Sequence, residues 1–260
     1  MAIELPCSSQ EEFLQNGLPP NCGVPTGPQP PADKHVGVKT ESKEHSWPWH
    51  VGIYYSGFGA YPFCGGTLIS PSWVVTAAHC ILMALQCNNV TLDQPISFED
   101  VTGHTMAVLV GAHDFTKIDG PGYNVKVKHA IIHPKFPVEG PKKGVDIALL
   151  KLHREVKRCK PFEEQPKMLM EKPAMITKTE ECKLFFKSFD KKEHICTEQK
   201  FGTSCVGDSG GGLHCPAKDG RWTVYGVASF TSPDCKRKYY VAASLKPVLP
   251  WITTTIGRSN

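Results

Sequence analysis

Three short strings carry residue types that could do nucleophilic chemistry: Thr76-Ala77-Ala78-His79-Cys80, Asp146-Ile147-Ala148-Leu149-Leu150 and Gly207-Asp208-Ser209-Gly210-Gly211. A serine hydroxyl is a poor nucleophile at neutral pH. It needs a base to take its proton, and an imidazole base needs a carboxylate to fix its tautomer and stabilise its cation. Ser209, His79 and Asp146 supply those three types. The glycines beside Ser209 permit a sharp turn, which could aim the Gly207 and Ser209 amides at one developing oxyanion. Taken singly, each string has a structural explanation. A His before a Cys is commonly a packed residue, an Asp before an apolar run commonly caps a turn, and Gly-Asp-Ser-Gly makes a good loop. Their occurrence together, in the order His, Asp, Ser, points instead to catalysis.

The elements that must position these residues read as strands. Residues 49–54, 66–70, 73–76 and 107–111 are short apolar runs bounded by turn residues, and residues 123–129 alternate strictly between Val and polar side chains. Such a pattern buries one face of a strand and wets the other, so the chain is expected to be all-β. His129 and His133 would share a helix face as metal ligands, but a period of two and Pro134 argue for strand and turn, and no metal site is expected. Trp251, Ile252 and Ile256 fall at helical spacing, which predicts a short C-terminal helix. Residues 1–34, rich in Pro, Gly and polar types, read as an extended leader or propeptide ahead of a domain over 35–260.

Bulk composition narrows the function classes. With 260 residues, 40% of them hydrophobic, the chain can bury one large core or two small ones. A net charge of +4 is too diffuse to argue for nucleic acid as a partner. Eleven cysteines without a Cys-x-x-Cys pair fit disulfides in an oxidising compartment, so a secreted, extracellular protein is expected. The first six residues lack the basic start and apolar run of a signal peptide, which implies a removed signal or an incomplete chain. Asn89-Val90-Thr91 is an acceptor for glycosylation on the secretory route. No apolar run has the length of a membrane span, and no phosphate-binding loop or ligand spacing implies a cofactor.

The three strings, with Cys22-Gly23-Val24-Pro25, Ser46-Trp47-Pro48-Trp49, Phe63-Cys64-Gly65-Gly66-Thr67-Leu68-Ile69 and Ile132-His133-Pro134, resemble the trypsin and chymotrypsin family from Cys22 to Ile256. The resemblance implies two antiparallel six-stranded β-barrels, here about 35–152 and 153–260, with the triad between them. It also implies a monomeric zymogen acting on protein or peptide substrates through an acyl-enzyme and open to protease inhibitors. Ser229 would lie beside Asp146 and line the substrate cleft with Thr231. Activation would follow cleavage between Lys34 and His35, whose new ammonium group would pair with Asp208. The base of the primary specificity pocket would fall on Thr203, where tryptic relatives carry Asp, and its walls on Thr231 and Tyr239 or Tyr240. Tryptic specificity is therefore not expected, because a Lys or Arg side chain would find no counter-charge. Family pairing would join Cys64 with Cys80, Cys182 with Cys196 and Cys205 with Cys235. Cys22 with Cys159 and Cys7 with Cys87 are further candidates, and Cys215 is expected to be a free thiol or mispaired.

The sequence also departs from that pattern. His35 stands where the family has Ile or Val, and no Gly-Trp-Gly occurs. Only residues 147–181 separate Asp146 from Cys182; residues 169–176 resemble the second of two expected strands there, so the first is expected to be missing from the second barrel. The basic run Lys236-Arg237-Lys238 reads as a solvated loop. The first expectation is a secreted serine endopeptidase of non-tryptic specificity. The alternatives are a catalytically impaired homologue acting as a secreted binding or regulatory protein, and an incomplete or misspliced product without a stable fold.

Overall fold

The computed structural model describes residues 23–24, 39–42, 46–86, 88–111, 123–137, 140–156, 169–200, 202–236 and 238–258. Lys34, His35, Cys7, Cys22, Cys87 and Cys159 lie outside them, as do the activation cleavage and the two disulfide pairings expected at those positions.

Strand β1 (Thr40–Glu41) precedes a closed barrel built from β2 (His50–Tyr55), β3 (Cys64–Ser70), β4 (Trp73–Thr76), β5 (Met106–Val110), β6 (Tyr123–Ile132) and β7 (Ala148–Leu152). The barrel order is β2-β3-β4-β7-β6-β5, antiparallel throughout. The alternation in β6 does what its period requires: Val125 and Val127 are buried while Lys126 and Lys128 face water. Gly66 is needed inside, because a Cβ there would come within 2.7 Å of Val74 Cγ1. Two helices decorate this barrel, α1 (Ala78–Leu85) directly after β4 and α2 (Phe98–Thr102) before β5.

Residues 169–176 do not form one strand. Their first part, β8 (Met170–Glu171), pairs with β1, and their second, β9 (Met175–Ile176), pairs with β10 (His194–Glu198). Pro173 lies between the two pieces and has no N–H for a continuous ladder. Helix α3 (Thr179–Phe185) follows and is tied to β10 by the Cys182–Cys196 disulfide. With β11 (Gly212–Pro216), β12 (Trp222–Phe230) and β13 (Tyr239–Ser244) the second sheet runs β11-β12-β13-β10-β9. Among the described residues it has five strands and stays open, a half-barrel, in keeping with the short stretch between Asp146 and Cys182.

The expected C-terminal helix is α4 (Leu249–Arg258), and it packs on the first barrel in a core that also takes in Val227 and Ala243 of the second sheet. Ile252 and Val248 join the barrel's core, and Trp251 Nε1 donates to Asp93 Oδ1 at 2.6 Å. The Trp251 ring meets His133 edge-on at 4.7 Å, while His129 lies against Trp73 at 6.0 Å. Both histidines are therefore packing residues along β6 and its end. Among the described residues no helix is long and apolar enough to cross a membrane.

The three pairings Cys64–Cys80, Cys182–Cys196 and Cys205–Cys235 are all formed. Cys215 corrects the expectation of a free thiol, because it too is disulfide-bonded. The other described cysteines are paired among themselves, so its partner lies outside the described residues. The sulfur on β11 is thus bridged.

Candidate active site

Asp146 sits in the turn that enters β7, with its carboxylate 0% exposed. An unpaired charge there would be costly, and three donors answer it. Oδ1 accepts from the His79 backbone N at 2.9 Å, and Oδ2 accepts from His79 Nδ1 at 2.7 Å and from Ser229 Oγ at 2.5 Å. The first of these bonds explains the local fold. Helix α1 starts after Ala77 without a side-chain cap, so its first amides lack partners, and Asp146 takes the one on His79. The same carboxylate therefore fixes both the backbone and the ring of His79. Donation from Nδ1 leaves the lone pair on Nε2, as a general base requires.

The serine loop is pressed against the first barrel. Gly65 N donates to Ser209 O at 2.8 Å, and Thr76 Oγ1 donates to Gly65 O at 2.8 Å. Gly210, at φ +81°, approaches so closely that a Cβ would lie 2.2 Å from Gly65 O and 2.4 Å from Thr76 Oγ1. Gly65 follows Cys64, whose disulfide reaches Cys80, the residue after His79. One short path of covalent and hydrogen bonds thus links the serine loop to the histidine helix. Across the loop, Asp208, Gly210 and Gly211 donate their amides to Cys205 O, Ala228 O and Asp208 O at 3.0, 2.9 and 3.1 Å. Among the described residues the Gly207 and Ser209 amides have no protein acceptor. Gly207 is exposed, with φ +94° and open space where a Cβ would be. Two amides flanking one carboxylate are therefore available to an oxygen ligand.

Ser209 Oγ and His79 Nε2 are not hydrogen-bonded to each other. Catalytic hydrogen bonds are often long without substrate and tighten on binding. Cys64, His79 and Cys80 place ligand atoms within 4.8 Å of one another. Their sulfurs are joined as a disulfide, which supplies no thiolate to a metal.

Thr203, expected at the base of the specificity pocket, is exposed. Gln199, which no sequence motif marks, joins the segment after Thr203 to Thr231. Its Oε1 accepts from Ser204 N, and its Nε2 donates to Thr231 Oγ1 at 3.2 Å. Thr231 Oγ1 in turn donates to Tyr239 O at 3.2 Å. Of the two tyrosines, Tyr239 turns toward α3, where its hydroxyl donates to Glu181. Tyr240 faces the serine loop side: burial raises its phenol pKa, and the Asp208 charge adds to the rise. Lys238 lies 3.6 Å from both Glu181 and Glu198 on an exposed face, as expected for a solvated basic loop.

Asp208 is not waiting for a partner among the described residues. Lys39 Nζ donates to both of its oxygens at 3.0 Å, and Cys205 N donates to Oδ2 at 2.9 Å. Nothing in the motif strings marks Lys39, which reaches the loop only because β1 pairs with β8. Asn89 is exposed on the segment after α1.

Comparison with known proteins places these features in a wider group. The family model described as Trypsin matches residues 36–167 and 157–252. Chymotrypsin-like elastase family member 3B of Homo sapiens is 29% identical, over 90% of this chain and 94% of that relative. Chymotrypsin-like elastase family member 1 of Canis lupus familiaris is 28% identical, over 90% of this chain and 97% of that relative. Proproteinase E of Bos taurus is 28% identical, over 82% of this chain and 91% of that relative.

Proposed function

Because the chain belongs to the trypsin family, a family of serine proteases, we propose that it is a secreted serine endopeptidase in which Ser209, His79 and Asp146 form the catalytic triad. The observation that carries this reading is the buried Asp146 carboxylate, bonded to both the backbone and Nδ1 of His79, with the Ser209 loop pinned beside them at Gly65.

In the proposed reaction Ser209 Oγ attacks the scissile carbonyl carbon while its proton passes to His79 Nε2. The carbonyl oxygen becomes an oxyanion held by the Gly207 and Ser209 amides. His79 then gives the proton to the leaving amine, the C–N bond breaks, and an acyl-enzyme remains. Water, deprotonated by His79, repeats the attack; the ester bond breaks, the proton returns to Ser209, and the acid product leaves. Asp146 stays ionised and stabilises the imidazolium.

Specificity is proposed to favour small, uncharged side chains before the cleaved bond. Thr203 offers no counter-charge, and neither does Gln199, which bonds both Ser204 and Thr231. The names of the relatives, elastase family members, agree with a non-tryptic preference. Three formed disulfides support an oxidising destination, and exposed Asn89 is available for glycosylation there. The protein is proposed to act as a monomer, with peptide substrates and protease inhibitors as its partners and residues 1–34 as a leader.

The test is product mapping by mass spectrometry on a peptide library. Cleavage after Ala, Ser or Val that disappears in Ser209→Ala supports the proposal. Cleavage mainly after Lys or Arg would overturn the specificity, and no cleavage by the folded protein would overturn the activity.

A further inference from the structure

Asp208 stands in the chain between Gly207 and Ser209, the two residues whose amides have no protein acceptor among the described residues, so whatever holds its side chain also bears on both amides. Within the described residues that anchor is Lys39, whose ammonium group contacts both carboxylate oxygens at 3.0 Å. We propose that Lys39 is a positioning residue that sets the oxyanion-binding amides in the uncleaved chain, so that activity does not wait for a new N-terminus. This rests on the reading of Ser209 as the nucleophile.

Lys39 is not a stray surface lysine. It leads directly into β1, which pairs with β8 through Thr40 with Glu171 and Glu41 with Met170, and Ser42 N donates to Leu169 O at 2.8 Å. Trp47 Nε1 bonds Glu171 from the other side. Its backbone then crosses Gly202, where a Cβ would come within 2.6 Å of Lys39 Cβ and 2.9 Å of Lys39 N. Gly202 has φ +118°, so both the conformation and the close approach call for glycine. Lys172, just after β8, donates to Gly202 O at 2.9 Å. The loop from Gly202 to Asp208 is therefore held at both ends by lysines from one two-stranded ribbon, and the residues holding it lie inside the chain.

Such an anchor has a physical signature. Side-chain exposures of 28% for Lys39 and 38% for Asp208 leave the pair open to screening by salt. With both oxygens of Asp208 occupied, a new terminal ammonium group would have to displace Lys39 to pair there. Cleavage upstream is therefore expected to change the rate little.

The experiment compares peptide hydrolysis by the intact chain, kept intact by Lys34→Gln, with that of the chain cut after Lys34. It then adds Lys39→Met and Lys39→Arg. The intact chain is expected to work within about tenfold of the cut one. Lys39→Met should lower kcat/KM roughly 10- to 100-fold, short of or overlapping the ~10²–10³ that follows loss of a single donor, with Lys39→Arg close to wild type. Raising ionic strength should slow wild type and leave Lys39→Met unchanged. An intact chain that is inert until cut, or a Lys39→Met variant as fast as wild type, would overturn the proposal while leaving the protease reading standing. Should neither form hydrolyse peptides, the protease reading fails, and hydrogen exchange still decides the role of Lys39. In a Ser209→Ala background Lys39→Met must speed amide exchange over residues 205–211, and unchanged exchange there contradicts the proposed anchor.

Discussion

Asp146 concentrates the chemistry of the site into one side chain: a carboxylate out of contact with water, with His79 N, His79 Nδ1 and Ser229 Oγ as its donors. Asp146→Asn keeps the shape but turns an acceptor into a donor opposite Nδ1, which favours the wrong tautomer. Turnover is expected to fall by ~10⁴, measured as kcat on a peptide substrate. Ser229→Ala removes a donor from the same buried oxygen and should lower stability by about 1.5–3 kcal/mol, as for hydrogen bonds to charged groups; urea denaturation checks it. At this scale the candidate residues Ser209, His79 and Asp146 were legible, because they sit in short strings whose chemistry is local. Gln199 and Lys39 were not. Each acts on a residue far away in the chain, Gln199 on Thr231 and Lys39 on Asp208, and neither contact leaves a mark in the residues around it.

Between elements, the decisive contact is the serine loop against β3 and β4. Gly210→Ala would force a Cβ toward Gly65 O and Thr76 Oγ1 at a positive φ of 81°. Backbone cannot yield as a flexible side chain would, so Ser209 must shift. A displacement near 1 Å in a catalytic group costs on the order of 10² in rate, and kcat/KM is expected to fall at least that far. Far-ultraviolet circular dichroism should stay that of the wild type, because the clash is confined to one loop and the barrel edge. In the first barrel β6 could be read from its alternation and β2 to β5 as apolar runs between turn residues, β4 being buried along its whole length. Residues 169–176 could not. Their division between β1 and β10 depends on which strands arrive alongside, and Pro173 alone does not say where each half pairs.

At the level of the whole molecule, the two sheets meet around a cluster of rings in which His214 lies 6.1 Å from Trp47 and 5.7 Å from Trp49, with Trp47 edge-on to Trp222 at 4.8 Å. Desolvation lowers His214 to about 3, with the nearby His50 adding to the fall. It also lowers His50 to about 4, opposed by the Asp208 charge. Both are neutral in the folded protein at pH values where the unfolded chain, with an ordinary value of 6.5, already binds protons. Stability is therefore expected to be full above pH 6.5 and to fall as pH drops toward 4, a trend visible in urea midpoints across that range. His50→Gln should flatten it by one proton, and an unchanged slope would contradict the assignment. The two-lobed plan and the short second sheet were legible from the family strings and the brief stretch after Asp146. The bond at Cys215 was not, because elimination among remote cysteines carries no geometry. Active-site titration with a fluorophosphonate, followed by mass mapping, tests the role of Ser209 most directly. One adduct per folded chain, on Ser209 and slowed by Asp146→Asn, is the expected result. A folded chain with its three mapped disulfides intact and no adduct at Ser209 would contradict it.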